Sequence, residues 1–308
     1  MKKTIINFLN KTPYIRGIYN ELKYFKHYHR FEPEHYHNPI PNKQEVEETH
    51  DSSLLNNLEG IDYDFENQIP SLEKLYQYYS ELPWDFRNDQ KNSLFRYKLK
   101  DSYYRYSDAI FLFFMMREFK PKKVIEIGSG FSTAIMLDTN DLFFKENKIE
   151  FTFIEPNPHD RLENLITDED RMNCKILPKR VQEVDISIYK ELKENDILFI
   201  DSSHVSKCGS DLNFIMFNIL PILNKGVLIH FHDVFYPFEY PKHWILEEKF
   251  YWNECYILRS FMMYNKNFDI LFFNSAAHKY HEEYLKTNMP EVLIDHINTG
   301  ALWIIKNK

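Results

Sequence analysis

The sequence predicts an α/β fold: a doubly wound, mostly parallel sheet with helices on both faces, preceded by a mainly helical N-terminal extension. Three observations predict it. From about residue 95, short apolar runs alternate with helical patterns, as parallel strands joined by crossover helices require. The run Val124-Ile125-Glu126-Ile127 passes into Gly128-Ser129-Gly130 and then Phe131-Ser132-Thr133, which reads as a buried strand, a tight turn and a helix start. Polar clusters follow several of the apolar runs, and the carboxyl ends of strands are where such Rossmann-like sheets bind ligands.

The elements follow in order. Residues 1–30 carry Ile5, Ile6, Leu9, Ile15, Ile18, Tyr19 and Leu22 at roughly helical spacing, with seven Lys or Arg and one Glu. Their balance is +6, so the remaining residues carry −14 of the net −8. Such a helix packs on its own domain or on a second copy in a homo-oligomer, or it lies as a peripheral contact on an anionic membrane. Pro33, Pro39 and Pro41 make 31–50 loop-like, and the acidic stretch from Glu45 to Glu66 reads as a solvated face. Leu72, Leu75, Tyr78, Tyr79 and Leu82 suggest a helix within 70–90. The expected division is an extension over 1–94 and a sheet domain over 95–308.

Residues 103–119 are strongly apolar and predict a buried helix, with Tyr103 and Asp108 as its candidate functional residues. Strands are expected at Val124–Ile127, Phe151–Ile154, Lys175–Leu177, Ile197–Ile200 and Val227–His232, and later at Ile270–Phe273 and Leu302–Ile305. Helices are expected at Ser132–Leu142, Pro158–Ile166 and Ser210–Leu220.

Composition narrows the function. Apolar residues make up 44% and charged residues 27%, the balance of an ordinary globule. The net charge of −8 excludes a general nucleic-acid binder, which needs a basic face. No apolar run is long enough for a transmembrane helix, and Ile5–Leu9 is too brief for a signal peptide. Cys174, Cys208 and Cys255 lie far apart and offer no disulfide framework or zinc spacing. The expected location is cytoplasmic, with a membrane-peripheral placement through residues 1–30 as the variant.

The strand ends carry the chemistry. Gly128 and Gly130 let backbone approach a ligand closely, and Ser132 and Thr133 can cap the helix that follows. Glu155, after the second strand, can accept hydrogen bonds from both ribose hydroxyls of an adenosine. After the fourth strand comes Asp201-Ser202-Ser203-His204, and at the end of the fifth His230-Phe231-His232-Asp233. A nicotinamide-dependent oxidoreductase could use the same sheet. However, Thr133 stands where a dinucleotide fingerprint needs its third glycine, and Glu126 would repel a pyrophosphate while receiving an ammonium. That pair favours S-adenosylmethionine, which has an amino-acid tail and no phosphate.

Val124–Thr133, Asp196–Val205, Gly209–Asp211, His230–Phe235 with Pro237–Pro241, Trp252–Glu254 and Tyr36–Pro41 resemble the class I S-adenosylmethionine-dependent methyltransferases, most closely a bacterial branch associated with surface-glycan gene sets. The resemblance covers most of the chain and is weakest over 1–30. It implies that Glu126, Gly128, Ser129, Gly130, Ser132 and Thr133 hold the methionine part of the donor, with Glu155 on the ribose, Asp201 beside them, and Arg180 to Glu183 near the adenine.

The Asp201-x-x-His204 segment is similar to the macrocin-type sugar O-methyltransferases. That likeness implies that Asp201 and Asp233 hold a divalent ion, with His232 as third ligand, and that His204 takes the proton from an attacking hydroxyl. His232 stands where those enzymes carry an acidic residue. Magnesium prefers oxygen ligands, whereas imidazole suits manganese, iron or zinc. The expected activity is O-methylation of a small-molecule or glycan acceptor. The rival readings are the oxidoreductase and a non-catalytic protein that docks through residues 1–30. His230 is expected to be structural. Trp252, Asn253 and Glu254 either shape the acceptor pocket or form a helix cap.

Overall fold

Seven strands account for the sheet among the described residues: β1 Lys123–Ile127, β2 Glu150–Ile154, β3 Lys175–Leu177, β4 Ile197–Ile200, β5 Leu228–His232, β6 Phe268–Phe273 and β7 Ala301–Lys306. They lie in the order β3-β2-β1-β4-β5-β7-β6. Neighbours from β3 to β5 pair in parallel, and β7 runs antiparallel between β5 and β6. The computed structural model describes residues 13–28, 30–50, 57–88, 92, 94–98, 103–104, 106–159, 161–294 and 299–308.

Register follows from burial. In β4 every residue of Ile-Leu-Phe-Ile is buried, as expected for a central strand covered on both faces. Ile127 of β1 pairs with Ile200 of β4, so Gly128 and Asp201 leave the sheet side by side. The strand order reverses between β1 and β4, and that switch point is where an open α/β sheet leaves a crevice.

The helix Tyr106–Phe119 is buried from Ser107 to Met116. An apolar surface all round suits a helix enclosed by protein. Leu72, Leu75, Trp84 and Phe86 belong to the same core as the strands. An ionic hub fastens this part. Arg96 contacts Asp138 at 3.0 Å, Asp141 at 2.8 Å and Asp170 at 2.7 Å, and Asp138 also accepts from Trp84 Nε1.

The chain divides into two compact units, 1–52 with 242–251, and 53–241 with 252–308. In the first, a helix spans Pro13–Tyr28; the apolar cluster expected at Ile5–Leu9 lies outside the described residues. The expectation of a loop over 31–50 is corrected by a helix at Lys43–Thr49. Asn42 starts it, accepting from Glu45 N at 2.8 Å while Glu45 accepts from Asn42 N at 3.1 Å. This reciprocal cap begins right after Pro41, so the prolines bound the helix rather than prevent it. Glu45, Glu47 and Glu48 are exposed, while Val46 is buried.

Two other helices differ from expectation. The one expected at Pro158–Ile166 is regular only over Leu162–Leu165. The one expected at Ser210–Leu220 begins at Asp211, widens to a π-turn over Ile215–Ile219 and closes as a 3₁₀ turn over Leu220–Ile222, where Pro221 lacks a donor. No helix among the described residues is long and apolar enough to cross a membrane.

Candidate active site

The glycine turn fits against β4 with no room to spare. Gly128 has φ +81°, and a Cβ there would lie 1.8 Å from the carbonyl oxygen of Asp201. Only glycine meets both demands. At Gly130 an added Cβ would meet Arg161 Cδ at 2.8 Å, the end of a flexible side chain.

Glu126 is fully buried, and its carboxylate accepts from Ser132 Oγ at 2.5 Å and from Thr133 Oγ1. Burial raises its pKa to about 8, the two hydroxyls opposing the rise. Thr133 caps the helix as expected, from position N3, whereas the Ser132 hydroxyl is spent on Glu126. Gly130 is the N-cap residue, and its N–H donates to Thr133 Oγ1 at 3.1 Å. Both hydroxyls also tie the helix start to β1 by donating to Glu126. Ser129 is buried in the turn. Glu155 is half-buried at the end of β2, where it accepts from Asn157 N at 2.9 Å. Arg180 pairs with Glu183 at 2.6 Å on the surface.

Asp201, His204, His232 and Asp233 converge beside this turn. His204 Nε2 lies 3.3 Å from Asp201 Oδ1 and 3.6 Å from Asp233 Oδ2. His232 Nδ1 lies 3.6 Å from Asp201 Oδ1 and 3.5 Å from Asp233 Oδ2. Two backbone conformations produce the convergence. Strict alternation along β5 would turn Asp233 away from His232, but Asp233 has left the strand with φ +55°. His204 likewise has φ +59°. Left-handed backbone at a non-glycine residue costs about 1–3 kcal/mol and collects at functional sites.

Each imidazole is backed by a carboxylate from elsewhere in the chain. His204 Nδ1 donates to Glu254 Oε2 at 2.7 Å, and Glu254 is 1% exposed. The N–H groups of Asn253 and Glu254 donate to His204 O, and Asn253 Oδ1 accepts from Ser206 N at 2.6 Å. The start of the helix Glu254–Met262 thus clamps the loop after β4. Trp252 lies against the His204 ring, centroids 4.3 Å apart. Behind His232, Asp108 Oδ2 lies 3.8 Å from Nε2, and Asp108 accepts from Asn274 and Thr299.

These charges set one another. Burial opposes the positive charge on His204, yet hydrogen bonds to Asp201 and Glu254 raise its pKa to about 10. Burial also opposes charge on His232, and Asp233 and Asp201 hold it well above the ordinary value. Desolvation works against the Asp201 carboxylate, but His232 and His204 hold it below the usual range. Burial raises Glu254, and His204 opposes the rise. His230 differs: it stacks on Phe199 at 4.1 Å, and burial keeps it neutral.

Sequence reasoning placed Asp201, His204, His232 and Asp233 near one site. It left Glu254 open between pocket and cap, and assigned Asp108 no partner. A carboxylate within the apolar run 103–119 was the available signal for Asp108. Glu254, fifty residues from His204, offered none beyond its neighbours Trp252 and Asn253.

A family model described as a methyltransferase domain matches residues 125–234. A protein of Archaeoglobus fulgidus with no assigned activity is 32% identical over 171 residues, 54% of this chain and 76% of that protein. Among solved structures, the SAH-bound methyltransferase PaMTH1 of Podospora anserina is 14% identical with a TM-score of 0.41, covering 87% of this chain and 97% of that one. The O-methyltransferase TomG of Streptomyces achromogenes, involved in tomaymycin synthesis and solved with SAM, is 12% identical with a TM-score of 0.40, covering 87% and 100%. The matched methyltransferase domain runs from the glycine turn through Asp233, so the strand ends that carry the candidate site lie within a methyltransferase domain.

Proposed function

We propose that this methyltransferase methylates a hydroxyl oxygen of a sugar or glycan intermediate, with His204 as base. The pose of His204 carries the reading. Its Nδ1–H is committed to Glu254, so Nε2 is the nitrogen presented to Asp201 and Asp233. A hydroxyl is a poor nucleophile until a base removes its proton. With a cation between Asp201 and Asp233 offsetting the negative charge that now raises the His204 pKa, His204 would be neutral and its Nε2 free to accept that proton as the oxygen attacks, while Glu254 keeps the ring from turning. S-adenosylmethionine supplies the methyl group from its sulfonium, passes it in line to the oxygen and leaves as S-adenosylhomocysteine. The half-buried Trp252 offers the C–H face of a sugar ring a flat apolar surface beside the base.

The donor set also fits a divalent ion. Ligand atoms about 2.0–2.2 Å from a metal stand roughly 3.0–3.5 Å apart, and the contacts of Asp201 and Asp233 with the two imidazoles fall at 3.3–3.6 Å. Asp201 and Asp233 would hold the ion, with an imidazole as third ligand: His204, whose Nε2 lies within 4.8 Å of both carboxylates, or His232, whose Nδ1 lies 3.6 and 3.5 Å from them. The ion would supply the positive charge these carboxylates otherwise draw from the imidazoles, and would stabilise a developing alkoxide. The mixed oxygen and nitrogen set suits manganese at least as well as magnesium.

Thermal stabilisation by S-adenosylhomocysteine, with and without manganese or magnesium, tests the donor and the ion. Methyl transfer to a panel of sugar hydroxyls then tests the chemistry. The reading requires that His204→Ala and Asp201→Asn lose activity while retaining donor binding. Full activity in both variants and in chelator would remove the mechanism, and stabilisation by a nicotinamide cofactor alone would remove the donor.

A further inference from the structure

The helix Pro13–Tyr28 plays no part in the reaction above. At helical spacing Tyr14, Ile18 and Leu22 line up along one stripe, with Tyr19 beside it. These residues are exposed by 79%, 42%, 53% and 43% respectively, and the neighbouring Arg16 and Lys23 are exposed as well. Isolated apolar residues on a surface are ordinary, but a continuous stripe on a helix marks an interaction face. The charge is equally local, since residues 1–30 carry +6 and all others together −14.

We infer that this helix lies on an anionic lipid surface, with its apolar stripe at the acyl boundary and its lysines and arginines among the headgroups. A basic helix with an apolar stripe and amphipathic tyrosines matches that environment on both counts. The same stripe on a second copy brings two segments of +6 together, which opposes pairing through this helix. The inference rests on the helix surface and the charge distribution, independently of the methyl acceptor.

The test is cosedimentation of the full chain with phosphatidylcholine vesicles, and with vesicles that also contain phosphatidylglycerol. The expected result is binding to the anionic vesicles alone, weakened by high salt. Ile18→Asp with Leu22→Asp is expected to lower binding at least about tenfold. Arg16→Glu with Lys23→Glu, which leaves the stripe intact, is expected to lower it by at least about fivefold per reversed residue. Absence of binding by the wild type, or equal binding by all forms, overturns the inference. So does a wild-type dimer in light scattering that Ile18→Asp with Leu22→Asp dissociates, since the occupant is then a second copy.

Discussion

Gly128→Ala tests the link between the glycine turn and the end of β4 that carries Asp201. The new Cβ would sit 1.8 Å from the Asp201 carbonyl oxygen, so the two backbones must part by at least 1.2 Å to reach even the 3.0 Å limit of real contacts. Two costs combine. An alanine at φ +81° is left-handed, worth about 1–2 kcal/mol, and opening a packed junction adds about 1–3 kcal/mol. A loss of roughly 2–5 kcal/mol lowers Tm by about 3–8 °C in a chain of this size. The displaced residue is Asp201, whose side chain meets His204 at 3.3 Å and His232 at 3.6 Å. A shift of about 1 Å in such a constellation costs around a hundredfold in rate. Melting curves measure the first effect and initial rates of methyl transfer the second. A variant with wild-type Tm and wild-type rate would refute the claim that the turn and β4 are locked by this contact.

Further predictions concern residues that act on others. Glu254→Gln should leave S-adenosylhomocysteine affinity intact and lower turnover about 10- to 100-fold, the usual cost of losing an orienting partner; unchanged turnover would show that the His204 pose does not depend on the carboxylate. Arg96→Ala strips the buried Asp138 of its countercharge and should cost about 3–5 kcal/mol, with Arg96→Lys in between because it loses the forked geometry; denaturant melts measure both. Asp170 is held below its ordinary pKa: burial opposes its charge, and the Arg96 hydrogen bonds outweigh that opposition. Its contribution is therefore complete above the unfolded value of about 3.9 and is lost as pH falls through the lower folded value. Wild type should lose Tm more steeply than Asp170→Asn in that acid range, and parallel curves would dismiss the pairing.

Sequence alone determined the strands. The runs around Val124, Phe151, Ile197 and Leu228 each became a sheet strand within a residue or so of the expected limits, because apolar periodicity and glycine turns are local signals. The same locality placed Asp201, His204, His232 and Asp233 at strand ends. Tertiary structure decided how those residues face one another. Nothing local shows that Asp233 turns through φ +55° to join His232, or that His204 adopts +59°, because the surrounding fold imposes both. The partnerships of His204 with Glu254 and of His232 with Asp108 join segments far apart in sequence, and a burial pattern has no memory of such distances. The helix at Lys43–Thr49 is not legible in the sequence, because three prolines dominate the segment while its start rests on a reciprocal cap between two residues. Gly128 belongs to both accounts. Its identity announced a tight turn, but only the fold shows that the missing side chain makes room for the Asp201 backbone.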